Sequence, residues 1–586
     1  MAQASTGKPK PAFFIAVLAV VAGLVGMAFW RCNAKKADSG QVDNGSAGDK
    51  INIADIKGKA GSPTALENPD PNGSPTSVKT YTYEPASRLP QVPGAADYKK
   101  LGTPRVVHFA VNTWAGWAPI IWANQGHKPG KVWKDAKGGD FQVELVLSDN
   151  PVAMRDAFAQ GSTQIGWATV DMLPLLIQSG LNKDPRTMPR VFQQIDWSNG
   201  GDGIVVRDGI KTVTDLRGKT IALAQNSPSH FFLLNMLLNG GVQPSEVKMK
   251  FTSDAFQAAA AFNQDKTIAA CVSWSPDIYN LTKPGMGNKL LISTTTANKL
   301  IADVWYARAD FARDNPEIIE GLVRGILDAV DELKKDDNKP KVGELMDEFY
   351  GLPKGTGKDM LGDAHWANYA ENKDFFLNQN NPTNFERTYT TAYLLYRAIR
   401  SVDDKIPFDQ IMDFSVIKKI GADPKYAAST NDYEFKFTPV SSVEVNVENA
   451  VLTKTVTIGF FPNSNELFKK VAGKNGGPET FYDPNVQNTI DDIAKLAGQF
   501  GAARIQISGH TDASMKGQAD EGLVKELSLR RANAVKEALV NKPYTMKPDQ
   551  FITAGFGWDK PADPKDPDNH AKNRRVEVKV IPAEAQ

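Results

Sequence analysis

The sequence predicts a two-lobed α/β domain and a smaller C-terminal α+β domain, both following one N-terminal transmembrane helix. Three observations support this architecture. Residues 11–30 are apolar and uncharged, strand patterns alternate with helix patterns over residues 104–425, and a strand, helix, strand order closes the chain. At 586 residues, two or three domains are expected.

The composition is that of globular domains and excludes several classes of protein. The chain has 68 basic and 67 acidic residues, so its charge does not indicate a nucleic-acid partner. The two cysteines, Cys32 and Cys271, fall in a linker and in a predicted buried strand, which excludes a disulfide framework. The six histidines show no ligand spacing. We therefore predict no metal site, no cofactor and no catalytic residues.

Residues 11–30, PAFFIAVLAVVAGLVGMAFW, are long enough to cross a bilayer core as a helix. Lys8 and Lys10 precede this stretch, and Trp30 stands at an interface position. We expect an uncleaved inner-membrane anchor, with residues 1–10 in the cytoplasm and the bulk of the chain in the periplasm. The basic residues on the two sides offset each other, so this orientation is only what the resemblance of the C-terminal domain, given below, implies.

Cleavage of this segment is the competing interpretation. A secretory signal peptide is disfavoured because the apolar run is long and no clean small-residue cleavage site follows it. Lipoprotein cleavage at Cys32 is disfavoured because Arg31 stands directly before the cysteine.

Residues 31–103 are predicted to form a disordered linker. They are rich in Gly, Ser, Asn, Asp and Pro, as in DSGQVDNGSAGDK, and they lack apolar periodicity. A second connector, residues 426–449, separates the two domains and contains an alternating stretch that indicates a short strand.

From residue 104 the chain alternates strands and helices. RVVHFAVN, FQVELVLS and TQIGWATV have strand patterns, whereas PVAMRDAFAQG has a helix pattern. This alternation predicts largely parallel sheets covered on both faces. Residues 104–425 are too many for one core, so we expect two lobes.

Several phrases in this region resemble the periplasmic solute-binding proteins of nitrate, sulfonate and taurine ABC transporters. They are VNTWAGWAPIIWANQG, IVVRDGIKTVTDLRGKTIALAQNSPSHFFLLNMLLNGGV, AAAAFNQDKTIAACVSWSPDIYNL and ADVWYARADFARDNPEIIEGLVRGILDAVDEL. The likeness covers most of residues 104–425. It implies a periplasmic-binding-protein-like fold, in which crossover strands join two α/β lobes that close on a small ligand.

Candidate ligand contacts lie where predicted strands end. Trp114 and Trp117 follow the first strand at its C-terminal end, where α/β ligand sites usually lie. Ser229 and His230 start an apolar helix, and Trp274 matches the position where the solute-binding family faces its ligand. For each residue, a core or capping role is the alternative.

The nature of the ligand stays open at this point. A helix N-terminus capped by Ser227, with Ser and His donors beside it, suits an anion such as a sulfonate, nitrate or carboxylate. Three tryptophans suit a cation or an aromatic ring equally well.

The C-terminal stretch contains three motifs in order. RIQISGHTD and NRRVEVKV alternate as strands do, and LSLRRANAVKEAL carries an apolar helical stripe. Together they predict an α+β unit.

These motifs resemble the OmpA-like peptidoglycan-binding domain, here residues 450–586. In that family the Asp of GHTD and the Arg of the helix motif hold the diaminopimelate residue of the peptidoglycan stem peptide, which implies Asp512 and Arg531. A zwitterionic head suits a carboxylate and a planar guanidinium. Thr511 and Arg575, in the same motifs, are further candidates for this site. An isolated Asp and Arg would instead be a cap and a solvated charge.

Two departures from the OmpA-like pattern bear on this site. The loop between the two motifs is longer than is usual in the family, and Val524 stands where the family commonly has Asn. If that Asn braces the binding loop, the brace is missing or replaced here.

Taken together, the sequence predicts an inner-membrane-anchored, peptidoglycan-tethered envelope protein with a solute-binding module for uptake or sensing. The expected partners are peptidoglycan, a small molecule, and an ABC permease or another inner-membrane complex. The alternative is a scaffold whose solute-binding fold serves protein–protein interaction. An enzyme is disfavoured: a related eukaryotic family uses this fold in thiamine pyrimidine synthesis, but only His230 supports that comparison.

Overall fold

The computed structural model describes residues 76–78, 80–437, 450–461, 463–473 and 477–582. The predicted anchor, residues 11–30, lies outside these ranges, as does the second half of the predicted connector with its short strand. In the described part of the chain, no helix is long and apolar enough to cross a membrane.

The first lobe contains a seven-stranded sheet. Its strands are β1 (Val106–Val111), β2 (Trp133–Lys134), β3 (Asp140–Leu147), β4 (Ile165–Thr169), β5 (Pro189–Ser198), β11 (Ala302–Arg308) and β12 (Ala364–Trp366). They lie in the order β12-β5-β11-β4-β1-β3-β2. Its helices are α1 (Ala118–Asn124), α2 (Pro151–Ala159), α3 (Leu173–Gln178), α7 (Ala309–Asp314), α8 (Pro316–Leu333), α9 (Lys339–Tyr350), α10 (Thr356–Met360), α11 (Tyr369–Leu377), α13 (Ser415–Ile420) and α14 (Pro424–Ala427).

The second lobe contains a five-stranded sheet. Its strands are β6 (Asp202–Arg207), β7 (Thr220–Ala224), β8 (Lys248–Thr252), β9 (Ala270–Trp274) and β10 (Asn288–Ser293), in the order β10-β6-β9-β7-β8. Its helices are α4 (Pro228–Asn239), α5 (Ala255–Gln264) and α6 (Asp277–Thr282). Cys271 lies buried in β9, as predicted.

The chain crosses between the lobes twice through short connections, from β5 to β6 and from β10 to β11. Helix α12 (Phe385–Ala398) packs against α3 of the first lobe and α4 of the second. The implied two-lobed arrangement with crossover strands is therefore present.

The prediction of largely parallel sheets is wrong in part. Strand β1 pairs in parallel with β3 and β4, and β7 with β8 and β9. The strands at the crossings pair antiparallel, β11 with β4 and β5, and β6 with β9 and β10. β5 leaves the first lobe where β11 enters it, and β6 enters the second lobe where β10 leaves it, so the two strands of each pair run in opposite directions.

Residues 80–103, which we call the strap, were expected to be disordered and instead lie in extended form along both lobes. Glu84 N donates to Phe251 O of the second lobe at 2.9 Å, and Val92 N donates to Ser179 O of the first at 2.8 Å. The strap's backbone bonds go to distant parts of the chain. Such contacts leave no periodic apolar signal in the sequence, which explains the wrong prediction of disorder.

Arg308, at the end of β11, holds the strap against the first lobe. Its side chain is fully buried and ion-pairs with Asp310 at 2.8 Å. Its guanidinium also donates to Ala96 O of the strap at 2.7 Å and to Phe158 O at 2.6 Å. One buried cation thus joins the strap, β11 and the end of α2.

The C-terminal domain is the predicted α+β unit. Its main sheet has the order β13-β18-β16-β17, where β13 is Leu452–Val456, β16 Ala503–Gly509, β17 Phe551–Gly555 and β18 Val576–Pro582. β14 (Lys470–Val471) and β15 (Thr480–Phe481) form a small separate sheet. The helices are α15 (Val486–Gln499), α16 (Glu521–Val540) and α17 (His570–Asn573).

The C-terminal domain packs directly against the second lobe. One hydrophobic cluster runs from helix α4 and its neighbours into the C-terminal sheet and α15. Val213 N donates to Val451 O at 3.3 Å, and Lys454 Nζ donates to Asn239 Oδ1 at 3.1 Å. The two domains therefore share a core in addition to their connector.

We predict that Arg308→Met lowers the free energy of unfolding by about 3–5 kcal/mol, because it leaves Asp310 buried without its partner. Urea unfolding of the full chain measures this loss. The matched control is Arg313→Met, since Arg313 forms an exposed ion pair with Asp314 and such pairs contribute about 0–1 kcal/mol. Equal effects of the two substitutions would contradict the role given to Arg308.

Candidate functional sites

A cavity of about 150 Å³, which we call the cleft, lies between the two lobes. The ends of β1, β3, β4, β7, β8 and β9 line it, together with residues 84 and 87–90 of the strap. It therefore occupies the place, beyond the carboxyl ends of strands, where α/β folds usually bind ligands.

Trp114 and Trp274 line the cleft as predicted, but Trp117 does not. Trp117 is fully buried, its indole N–H donates to Asn112 Oδ1 at 2.7 Å, and its ring packs edge-on against Phe109. Trp117 is therefore a core aromatic, which was the alternative to a ligand contact. Position in the loop alone could not separate the two tryptophans.

Ser229 and His230 also point away from the cleft. Both are almost fully buried, and the imidazole packs between Phe251 and Tyr396. Burial lowers the pKa of His230 to about 4, and its Nδ1 accepts from Asn226 N at 3.3 Å. Helix α4 is buried on every side from its first turn, so a Ser and a His there become core residues.

Ser227 and Pro228 occupy the predicted first positions of this helix, and both line the cleft. The Ser227 hydroxyl does not cap the helix, however, because it donates to Ala224 O at 2.8 Å.

Three indole rings line the cleft. The Trp114 N–H donates to Asp196 Oδ2 at 3.1 Å, and the Trp167 N–H donates to Ser148 O at 3.0 Å. Trp274 Nε1 has no hydrogen-bond partner among the described residues. Trp167 was not predicted, because a Trp inside an apolar strand has the signature of a core residue.

The loop that carries Trp114 lies against Asp196 so closely that it requires a glycine. A Cβ at Gly116 would lie 1.5 Å from Asp196 Oδ2. Any larger residue would push the loop, and Trp114 with it, away from this carboxylate.

Buried aspartates surround the cleft, and none of them was predicted as a site residue. Asp202 and Asp303 line it, and Asp196 lies directly behind Trp114. Their signal was visible as acidic residues inside otherwise apolar strands, as in ADVWYAR. A carboxylate in such a strand is costly unless it has a partner or a function.

Burial shifts the titration of these groups strongly. It raises the pKa values of Asp171 and Asp202 to about 7. The Asp303 carboxyl hydrogen-bonds to Asp196. Burial, and to a lesser extent repulsion from Asp196, raises the pKa of Asp303 well above its usual range. No basic side chain is among the causes of these shifts.

A second acidic pair spans the cleft between the lobes. Asp149, after β3, accepts from Thr113 N at 2.6 Å, while Asp254 caps α5 by accepting from Gln257 N at 2.8 Å. Burial raises the pKa of Asp149, and repulsion from Asp254 adds to the shift. The two lobes therefore present like charges to each other.

The C-terminal domain has a second cavity, of about 530 Å³, which we call the C-terminal cavity. Asp512, Arg531, Thr511 and Arg575 all line it, so the structure brings the four predicted residues together. Asp512 follows β16, and Arg531 lies in α16, which begins at Glu521 and therefore earlier than the motif suggested.

Three unpredicted residues hold the Asp512 carboxylate. Ser514 N donates to Oδ1 at 2.9 Å, His570 Nδ1 lies 2.9 Å from Oδ2, and Arg574 Nε also donates to Oδ2. Burial alone would raise the pKa of Asp512, but these hydrogen bonds hold it well below its usual range. The carboxylate is therefore fully charged near neutral pH. Arg574 stands in the NRRVE motif directly before Arg575, the residue that the motif led us to predict.

Arg531 is 9% exposed and faces the same cavity. Its Nε donates to Ser464 O at 3.1 Å, and its guanidinium lies 4.9 Å from the centroid of the Phe460 ring. Burial and the charge of Arg574 lower the pKa of Arg531 to about 10. It stays a cation at neutral pH, in a setting that favours an added anion.

Thr511 and Arg575 line the C-terminal cavity, but they also make hydrogen bonds within the domain. Thr511 N donates to Gly557 O at 2.8 Å, and the hydroxyl has no partner among the described residues. Arg575 donates twice to Glu577 Oε1, at 2.6 and 2.9 Å. Val524 lines the cavity near the start of α16, so methyl groups occupy the place of the family's Asn.

Comparisons with known families and proteins match the two domains separately. Residues 102–347 match the NMT1-like family and residues 478–575 match the OmpA family, which confirms both resemblances. The taurine-binding periplasmic protein of Escherichia coli (strain K12) is 27% identical over 232 residues, 38% of this chain and 68% of that protein. The outer membrane protein Omp38 of Acinetobacter baumannii (strain ATCC 17978) is 41% identical over 104 residues, 16% of this chain and 28% of its own length.

Among solved structures, the periplasmic aliphatic sulphonate binding protein of Escherichia coli aligns with a TM-score of 0.41 and 20% identity, over 52% of this chain and 96% of that one. From the family matches, the chain joins a domain of the solute-binding-protein type to a domain of the OmpA type.

We predict that the ligand-free protein becomes less stable as the pH rises from about 5 to about 8. Both states are protonated at these carboxyls below about pH 4. Above about pH 4 these carboxyls lose their protons in the unfolded chain. In the folded protein Asp171 and Asp202 keep theirs until the pH reaches their raised pKa values of about 7. The unfolded state therefore binds fewer protons over this range, and the free energy of unfolding falls as the pH rises. Carboxyls with lowered pKa values, such as Asp512, change the free energy of unfolding only at pH values below this window.

Thermal unfolding of the full chain between pH 5 and pH 8 measures this slope. Asp202→Asn should flatten it, whereas Asp208→Asn, at an exposed position, should leave it unchanged. A melting temperature that rises with pH over this window would contradict the burial of these carboxyls in the native protein.

Proposed function

We propose that this is an envelope protein that holds peptidoglycan with its C-terminal domain and captures a small molecule in the cleft, for uptake or sensing. The observation that carries the proposal is the placement of a charged Asp512 and a charged Arg531 on one cavity of about 530 Å³. A zwitterionic amino-acid head needs both groups.

The C-terminal cavity supports peptidoglycan binding through its charges. The meso-diaminopimelate head would place its carboxylate against Arg531 and its ammonium against Asp512. The Asp512 oxygens already accept from Ser514, His570 and Arg574, so the acceptor is fixed in position before the ligand arrives. Thr511, with a buried hydroxyl that lacks a partner among the described residues, is available as a further donor.

The cleft supports the solute-binding part of the proposal. It lies between two lobes joined by crossover strands, and aromatic and polar side chains from both lobes line it. Ligand capture, rather than a scaffold role alone, is favoured because a scaffold has no need for buried charges around an internal cavity.

Anchoring in the inner membrane by residues 11–30 belongs to the same proposal, on the strength of their uncharged apolar sequence. An ABC permease or another inner-membrane complex would then be the partner within reach. Fixed to the membrane at one end and to the cell wall at the other, the solute-binding domain would work at a set place in the envelope.

We predict that the full chain, in mild detergent, co-sediments with sacculi that contain diaminopimelate. Asp512→Ala and Arg531→Ala should each lower the affinity by roughly ten- to hundredfold, because hydrogen bonds to charged groups contribute about 1.5–3 kcal/mol. The matched control is Arg530→Ala, an exposed neighbour that pairs only with Glu526 among the described residues. Wild-type protein that stays in the supernatant would contradict the proposal, as would equal pelleting of all three variants.

A further inference from the structure

We infer that the cleft binds a small organic cation, whose ammonium group lies among carboxylates of both lobes and against the faces of tryptophans. This inference deepens the solute-binding part of the proposed function and rests on it.

The charge of the lining is the first argument. Glu84, Asp149, Asp202, Asp254 and Asp303 all line the cleft. Within the described ranges, the lining contains a single basic side chain, that of Arg88. Arg88 pairs with Asp403 at 2.5 and 2.8 Å, and half of its side chain is exposed. The cleft thus has an excess of negative groups that no neighbouring cation offsets.

The second argument is the distribution of these groups over the two lobes. Asp149 and Asp303 belong to the first lobe, Asp202 and Asp254 to the second. Across the cleft, Asp254 contributes to the raised pKa of Asp149, and Asp202 contributes to that of Asp303. A bound cation would replace repulsion by attraction and hold the lobes together, in a cavity where charges interact more strongly than in water.

The tryptophans are the third argument. The faces of aromatic rings attract cations, and indole does so best. Trp114 lies in the loop after β1, Trp167 on β4 and Trp274 at the end of β9, so tryptophans of both lobes line the cleft. At about 150 Å³ the cavity matches one that holds a molecule of about the size of benzene.

Asn226 provides an independent observation that points to a ligand. It lines the cleft, is 5% exposed, and its Oδ1 has no hydrogen-bond partner in the described part of the protein. Its Nδ2 donates to Ser87 O of the strap at 3.2 Å, which leaves the oxygen as the free acceptor. Its backbone has a φ of 57°, in the left-handed region that Asn tolerates better than most residues. An ammonium N–H would satisfy this acceptor.

Other ligand chemistries fit less well. An anion would meet five carboxylates, and the predicted donors Ser229 and His230 face the core instead. The start of α4, the Trp274 N–H and Arg88 favour an anionic group, but Arg88 is already paired with Asp403. A metal ion is disfavoured because, among the described residues, no group of three or more His, Cys, Asp or Glu side chains could hold one.

The test uses the full chain at pH 7.5 and three probes of similar size, namely butylammonium, 1-butanol and 1-propanesulfonate, at matched ionic strength. Isothermal titration calorimetry and thermal unfolding report binding. We expect butylammonium to bind at least tenfold more tightly than 1-butanol and to raise the melting temperature, and 1-propanesulfonate to do neither. Tighter binding of 1-propanesulfonate, or no binding of butylammonium, overturns the inference.

A variant separates binding from folding. Asp202→Asn keeps the shape of the side chain, so we expect butylammonium affinity to fall at least tenfold while the ligand-free protein becomes more stable at pH 7.5. Asp208→Asn, at an exposed position, should change neither. Unchanged affinity in Asp202→Asn contradicts the inference, even if stability rises.

These outcomes distinguish the inference from the proposed function. If 1-propanesulfonate binds and butylammonium does not, solute binding stands and the cation is wrong. If none of the three probes binds while the protein still pellets with sacculi, the inference fails and peptidoglycan attachment stands.

Discussion

Acidic groups buried on the crossover strands are the constraint on which the arrangement of this molecule depends. Asp196 lies near the end of β5, Asp202 begins β6, and Asp303 lies near the start of β11, so the strands that join the lobes also carry acidic groups of the cleft. Burying a carboxylate without a cation costs free energy, and burial accordingly raises the pKa values of Asp202 and Asp303 above their usual range. The connection between the lobes and the lining of the cleft are therefore one structure, and a ligand bound in the cleft would lie against the crossover strands.

Much of the fold follows from periodicity, but the cleft does not. Alternation located β1, β3 and β7 and the helices between them, because the burial of one face repeats along each element. Trp117 shares the loop of Trp114, and His230 starts a helix whose first residues line the cleft, yet both rings pack into the core, and only tertiary contacts decide which ring faces a cavity. The aspartates at 202 and 303 were readable as charges in apolar strands, but nothing local showed that they converge.

The C-terminal domain and the strap show the same division. A complete motif located Asp512 and Arg531, whereas Arg574 and His570 reach Asp512 through a loop whose path no pattern specifies. The strap makes its backbone hydrogen bonds to residues far along the chain. Its own sequence therefore shows no periodic pattern, and it looks like a disordered linker. The shared core between the C-terminal domain and the second lobe likewise arises from surfaces that are each only partly apolar.

One chain that attaches to the cell wall and holds a cation at the same time can be tested in a single experiment. The measurement is equilibrium binding of radiolabelled butylammonium to sacculi loaded with the full chain. We expect one label per pelleted chain, strongly reduced label with unchanged pelleting for Asp303→Asn, and strongly reduced pelleting of both protein and label for Arg531→Ala. Label that pellets equally with sacculi alone, or equally with Asp303→Asn, would contradict this expectation.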